Sequence, residues 1–237
     1  MCFVFLIFKG DDVAVGDFGR VYWKAYDGSG NVTVVASAGA GGYGDFTDGV
    51  LRNISEILSV ANNEGGSDII VLNDGDDVGI GGFLNDTLDG GGGRDILFGD
   101  SAVITYYPAS SSPELLMTID CEFGGRDILY GGPGLVDYLV GGSFDDDIWG
   151  NDTYSVPDLD QEDLVIGDHG KIVLAEEPAF KLLQAETIYA NCTGGNDQII
   201  LGPGKFGIAS LSRHFLWGHL NPVRSGSALW IAKTYHL

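Results

Sequence analysis

The chain has 237 residues, a formal net charge of −22 and 44% hydrophobic residues. That apolar content excludes a disordered acidic tail, and the charge excludes nucleic acid and anionic membrane while favouring divalent cations. Its 38 glycines, about twice the usual share of roughly 7%, come without a collagen period or abundant proline and read as turn-dense β structure.

In chain order, residues 1–19 read as the end of a partial repeat array. Val4–Leu6 fills a strand slot, and Ile7–Val15 (IFKGDDVAV) fits a nine-residue block through Gly10 and Asp12. The apolar run Cys2–Phe8 lacks a basic leader and a small-residue cleavage site, so it does not read as a signal peptide. No stretch approaches the roughly 20 apolar residues of a membrane span. Residues 20–62 form a β-rich insertion with the strand-like segments RVYWKAY and NVTVVASA.

Residues 63–100 carry the clearest array. Its blocks NEGGSDIIV, LNDGDDVGI, GGFLNDTLD and GGGGRDILF place Asp68, Asp77, Asp86 and Asp95 nine residues apart. Gly66, Gly75 and Gly93 stand two residues before the aspartate, with Leu84 as the exception. Ile70, Leu88 and Leu97 stand two after it, with Gly79 as the exception. Residues 101–121 are a second insertion (AVITYY), and residues 122–168 a second array through Asp127, Asp137 and Asp146. Residues 169–193 are a third insertion, in which AEEPAFKLLQAETI has room for a short helix. Residues 194–208 open a third array through Asp197, which fails where Phe206 takes the aspartate slot. Residues 209–237 are an acid-free tail or cap. That shift reads as a separate cap or as a chain cut from a longer protein, the second being favoured.

A longer alternation lies above the blocks. Three arrays end in GDFG, GDSA and GDHG, each followed by an insertion and then by GG-x-D. Six turn residues and three strand residues make a block, so the strand alternates and Ile70, Leu88, Leu97, Leu129, Ile148 and Val165 point inward. Two blocks make a coil, which stacks Asp68 on Asp86 and Asp77 on Asp95. Calcium suits stacked carboxylates and turn carbonyls, because it takes roughly 6–8 oxygens at about 2.3–2.6 Å in flexible geometry. Zinc wants His or Cys, which the arrays lack. Stacked aspartates repel one another without metal, so the arrays are expected to fold with calcium. The rival reading is a metal-free solenoid whose aspartates cap turns.

The blocks GGGGRDILF, EFGGRDILY, GGFLNDTLD and GGSFDDDIW resemble the RTX (hemolysin-type) calcium-binding nonapeptide repeat family. The resemblance implies an all-β fold, with arrays of right-handed parallel β-roll or β-solenoid interrupted by β-rich insertions. It also implies Ca²⁺ between turns and export to an extracellular or cell-surface location. Carried over by position, it assigns metal ligation to Asp68, Asp77, Asp86, Asp95, Asp127, Asp137, Asp146 and Asp197. The accompanying carbonyls come from Gly66, Gly75, Gly82, Gly91, Gly93, Gly125 and Gly134.

Ile69, Val71, Ile96, Phe98, Ile128, Tyr130 and Trp149 make the strands apolar on their outward side as well. Insertion strands folding back over the repeats would explain this, and so would self-association or a fibre neighbour docking there. The three cysteines are too few for a disulfide scaffold or zinc site and leave a Cys121–Cys192 bridge open. His169, His214, His219 and His236 lack catalytic or metal spacing, and no G-x-S-x-G, H-E-x-x-H or phosphate loop is present. Of the N-x-[ST] sequons, Asn85 and Asn151 arise from repeat turn chemistry, while Asn31 and Asn53 are better glycosylation candidates than these.

The expectation is therefore a non-enzymatic calcium-binding structural segment of an adhesin, surface layer or filament. One alternative is an accessory module of a secreted enzyme. Another is a carbohydrate-binding surface using Tyr22, Trp23, Tyr106, Tyr107 and Trp149.

Overall fold

The computed structural model describes residues 4–6, 10–26, 32–36, 53–150, 163–188, 192, 194–201, 206–208 and 215–218. The sequons at Asn31, Asn151 and Asn191, the histidines 214, 219 and 236, and most of the tail lie outside them. The described residues are all-β, without helices, and mostly in parallel sheets.

The chain begins with β1 (Val4–Leu6) and β2 (Val13–Val15). The first insertion supplies β3 (Gly19–Tyr26), β4 (Val32–Ala36) and β5 (Asn53–Ser59). The next array gives β6 (Ile69–Val71), β7 (Asp74–Gly75), β8 (Val78–Ile80), β9 (Thr87–Asp89), β10 (Gly92–Gly93) and β11 (Ile96–Phe98). The second insertion adds β12 (Ala102–Tyr106) and β13 (Pro113–Thr118). Then come β14 (Ile128–Tyr130), β15 (Tyr138–Val140), β16 (Asp147–Trp149) and β17 (Leu164–Ile166). The third insertion gives β18 (Gly170–Leu174) and β19 (Leu182–Thr187), and the chain continues into β20 (Gln198–Leu201), β21 (Phe206–Ile208) and β22 (Phe215–Gly218).

Successive array strands alternate between two parallel sheets. Sheet A runs β1-β6-β9-β14-β16-β20-β22, and sheet B runs β2-β8-β11-β15-β17-β21. Three-residue strands have one inward position each, and those residues meet in a single file between the sheets. Ile70, Leu88, Leu97, Leu129, Leu139, Ile148, Val165 and Ile199 are all fully buried there. The inward set expected from the sequence is thus found in place.

The insertions build a third layer. Sheet C is antiparallel, in the order β19-β18-β13-β12-β5-β3-β4, with each insertion contributing neighbouring strands. Ile57, Ile104, Leu116 and Ile172 of sheet C pack on Ile80, Phe98, Val140 and Ile166 from the outer side of sheet B. The layers therefore stack as A, B and C. All three insertions leave where the chain passes from sheet B to sheet A, between β2 and β6, β11 and β14, and β17 and β20. This is why, among the described residues, sheet B is covered by the insertions and sheet A is not.

Three sequence expectations are corrected. The AEEPAFKLLQAETI segment holds no helix. Pro178 sits in a turn, and β19 pairs antiparallel with β18 from Gly170↔Thr187 to Leu174↔Leu182, so strand pairing overrides local helix preference. Phe206 is not in the aspartate slot: it pairs with Leu164, the first strand residue after Asp163, so the period slips there by one residue. Gly79 is not a defect. Leu72, standing where other blocks have glycine, is fully buried, and a Cβ on Gly79 would lie 3.3 Å from its Cδ1 and 3.0 Å from Leu97 Cδ2. The missing inward side chain is supplied from the preceding turn.

The turn exceptions keep the glycine conformation without glycine. Leu84 and Phe144 have φ of 73° and 69°, a left-handed region that costs a side chain of this kind roughly 1–2 kcal/mol. Their side chains are exposed. On the opposite edge, a Cβ at Gly91 would lie 1.7 Å from Asn73 O, and one at Gly93 would lie 1.7 Å from Gly75 O. Only glycine permits turns to stack that closely.

Candidate metal centre

The block aspartates form two ladders, one on each edge of the paired sheets. On the edge leading from B to A, the backbone N–H groups of Asp68, Asp86, Asp127 and Asp146 donate to Oδ1 of Asp86, Asp127, Asp146 and Asp197, at 2.7–3.0 Å. On the edge leading from A to B, Asp12, Asp77, Asp95 and Asp137 donate to Oδ1 of Asp77, Asp95, Asp137 and Asp163, at 2.7–3.1 Å. The pairings of Asp68 with Asp86 and of Asp77 with Asp95 are as the nine-residue period requires.

Oδ1 is thus committed to the neighbouring rung. Oδ2 of Asp77, Asp86, Asp95, Asp127 and Asp146 is buried and accepts no hydrogen bond. A buried carboxylate oxygen without a partner is costly, and native proteins either protonate such a group or pair it with a cation. Burial raises every one of these carboxyls. Asp77 is pushed to about 6, Asp95 to about 8 and Asp86 to about 9, with the neighbouring ladder charges adding to the effect of burial. Asp127 and Asp146 are raised in the same direction, by burial first and then by nearby aspartates.

Main-chain oxygens converge on the same places. A Cβ on Gly81 would lie 2.3 Å from Gly99 O and 2.6 Å from Asp86 Oδ2. One on Gly99 would lie 2.2 Å from Asp127 Oδ2 and 2.6 Å from Gly141 O, and one on Gly141 would lie 2.2 Å from Gly167 O and 2.3 Å from Asp146 Oδ2. On the other edge, Gly131 faces Asp137 Oδ2 and Gly150 O in the same way. Each carboxylate therefore meets the carbonyl of the first glycine in a following turn. Among the described residues no three His, Cys, Asp or Glu side chains converge on one point. The donor set is one or two carboxylates with main-chain carbonyls, all hard oxygen, which fits calcium and not zinc.

Gly81, Gly99, Gly141, Gly150 and Gly167 were not among the expected glycines, although their place directly after each strand was visible in the repeat. The expected ones lie nearby in other roles. Gly66 and Gly125 donate their N–H to Asp17 and Asp100, and Gly82 donates to Gly99 O. Gly75 pairs with Gly93 in the short β7–β10 ladder, Gly93 bridges to Gly134, and the Gly91 carbonyl packs under Gly132.

A second set of carboxylates was not recognised from sequence. Asp17, Asp100 and Asp168 are the aspartates of the GD words that precede each insertion. Asp17 accepts N–H from Gly66 and Phe83, Asp100 from Gly125 and Ser143, and Asp168 from Gly195. Each ties the exit of an insertion to its return, and Asp17 and Asp100 reach the next turn as well. An outer ladder also runs alongside: Asp76, Arg94, Arg126 and Asn196 donate N–H to Asp11, Asp76, Asn85 and Asp145. Its signal was Asp or Asn immediately before the ladder aspartate.

Cys121 and Cys192 form a disulfide with Cα atoms 5.7 Å apart, joining the return segments of the second and third insertions. His169 is buried beside Ser143, with Nε2 3.4 Å from its Oγ, and packs rather than facing solvent. Trp149 belongs to sheet A, whereas Tyr22, Trp23 and Tyr106 belong to sheet C and Tyr107 follows it, so these aromatics do not make one sugar-binding platform. The Trp149 ring is instead stacked on Tyr130 at 4.9 Å. Among the described residues no helix is long and apolar enough to cross a membrane. Neither a protein-family model nor any curated protein or solved structure matches the chain.

Proposed function

We propose that the chain is a right-handed parallel β-roll of the RTX (hemolysin-type) kind, whose turns bind Ca²⁺. It serves as a non-enzymatic stiffened segment of an extracellular or cell-surface protein such as an adhesin, surface layer or filament. The observation that carries this reading is the row of buried aspartate Oδ2 atoms without hydrogen-bond partners, set along both edges against main-chain carbonyls. An oxygen-only donor set that leaves most ligation to carbonyls suits a large flexible cation better than magnesium, which holds its waters in a tight octahedron. The narrow inner file of aliphatics offers little burial per residue, so ions between turns would supply stability that the core lacks.

The Cys121–Cys192 disulfide supports placement outside the cytosol, where such bonds persist and calcium is plentiful. The test is isothermal titration calorimetry of the metal-free chain with calcium and, separately, magnesium. Several calcium ions should bind, with magnesium much weaker. No calcium uptake at millimolar concentration would overturn the reading.

A further inference from the structure

The turns on the B-to-A edge are of two kinds. Among the described turns two are uninterrupted, and there Gly82 and Gly142 follow the first glycine directly. Where an insertion departs, aspartate takes that position, as Asp17, Asp100 and Asp168. The middle junction shows the consequence most fully. Asp100 is 1% exposed, and its two oxygens accept N–H from Gly125 on the returning chain and from Ser143 in the next turn. Asp127, the ladder aspartate of the same junction, is fully buried with its Oδ2 unpartnered. Asp100 N–H donates to Gly141 O at 3.3 Å and its Oδ2 lies against Gly142, while the same Gly141 O converges with Asp127 Oδ2 over the face of Gly99, so both carboxyls border the Gly141–Gly142 turn.

We propose that Asp100 and Asp127 together form a two-carboxylate divalent-cation site at the insertion junction, distinct from the one-carboxylate rungs at Asp86 and Asp146, and that the ion there locks sheet C onto the parallel sheets. The proposal rests on the calcium reading above and adds to it a ranking of sites. Two carboxylates balance the charge of one divalent ion, whereas a single one leaves it half compensated, and ligand charge count is a main determinant of calcium affinity. The Asp100 carboxylate also holds both ends of the insertion, so an ion bound to it draws on the closed junction rather than on the ladder alone. The same GD…GGxD wording at Asp17 and Asp168, with Asp17 bonded to Gly66 and Asp168 to Gly195, repeats the arrangement at the other two insertions.

A crystal of the whole chain grown in limiting calcium and read by anomalous scattering tests the site without altering it. The expected result is an ion at this junction before the Asp86 and Asp146 rungs fill, with oxygens of both Asp100 and Asp127 at about 2.3–2.6 Å. Ions at Asp86 and Asp146 with none touching Asp100 would overturn the proposal and leave the calcium reading standing. A chain with no ion at any rung would overturn both, and a proton shared between the two carboxyls would then explain their approach. In solution, Asp100→Asn should weaken the tightest calcium step by about tenfold or more and leave the weaker steps in place. Superimposable isotherms for Asp100→Asn and the parent chain would count against the proposal.

Discussion

Sheets A and B are built from the same repeat and meet different surroundings. In β8, β11, β15 and β17 of sheet B the outward residues are Val78 and Ile80, Ile96 and Phe98, Tyr138 and Val140, and Leu164 and Ile166, all buried under sheet C. In sheet A the same positions hold Ile69 and Val71, Thr87 and Asp89, Ile128 and Tyr130, and Asp147 and Trp149, which are half-buried or exposed. Ile69 is 43% exposed. The inward file common to both is too thin to distinguish them, so the difference lies in which edge releases the insertions. Among the described residues, the insertions that build sheet C all leave on the B-to-A edge, and they cover sheet B.

The largest way to break this comparison is at the B–C interface. Phe98→Ala removes a fully buried ring between the layers and should cost about 3–5 kcal/mol, read from urea unfolding in saturating calcium. A loss as small as that of a sheet A surface change would show that sheet C does not pack on sheet B. Next is the disulfide. Cys121→Ser closes off a cross-link spanning 71 residues of sequence, and the oxidised parent should exceed it by about 2–4 kcal/mol in the same assay.

The pH dependence sharpens the contrast between ladder and cover. Burial lifts Asp77 to about 6, Asp95 to about 8 and Asp86 to about 9, while an unfolded aspartate titrates near 3.9. The metal-free folded chain therefore binds more protons than the unfolded chain over this window. That stabilisation is complete below about pH 4 and is lost as pH rises through the raised values. Metal-free protein should accordingly be more resistant to urea at about pH 5 than at about pH 8, and calcium should reverse the order by taking the place of the protons. Smallest of all, Trp149→Ala on the outward side of sheet A should cost about 0.5–1.5 kcal/mol, the worth of its stacking on Tyr130. A cost equal to that of Phe98→Ala would mean that sheet A is covered too.

Much of the frame could be read from residues. The period placed Asp68 over Asp86 and set Ile70, Leu88, Leu97, Leu129, Ile148 and Val165 inward, because a three-residue strand has a single inward position. Strands at RVYWKAY, NVTVVASA and AVITYY followed from their β-branched and aromatic content. What escaped depends on contacts between blocks. Leu72 filling the space over Gly79 joins two exceptions that look separate in sequence. The order of sheet C depends on β5 meeting β12 and β13 meeting β18, pairings between different insertions that no local pattern encodes. The carbonyls that face the ladder come from following turns, and the bonds of Asp17 and Asp100 reach across the return of an insertion. Of the two explanations for the apolar outward residues, the folding back of insertion strands accounts for those of sheet B.

The central claim is that the orphan carboxylate oxygens along the two edges are held by calcium. Far-UV circular dichroism of the whole chain, stripped of metal at neutral pH and then titrated with calcium, tests it most directly. The account predicts a weak β signal without metal that grows cooperatively as calcium is added and is lost again in chelator. A full β spectrum, unchanged between chelator and saturating calcium, would contradict it.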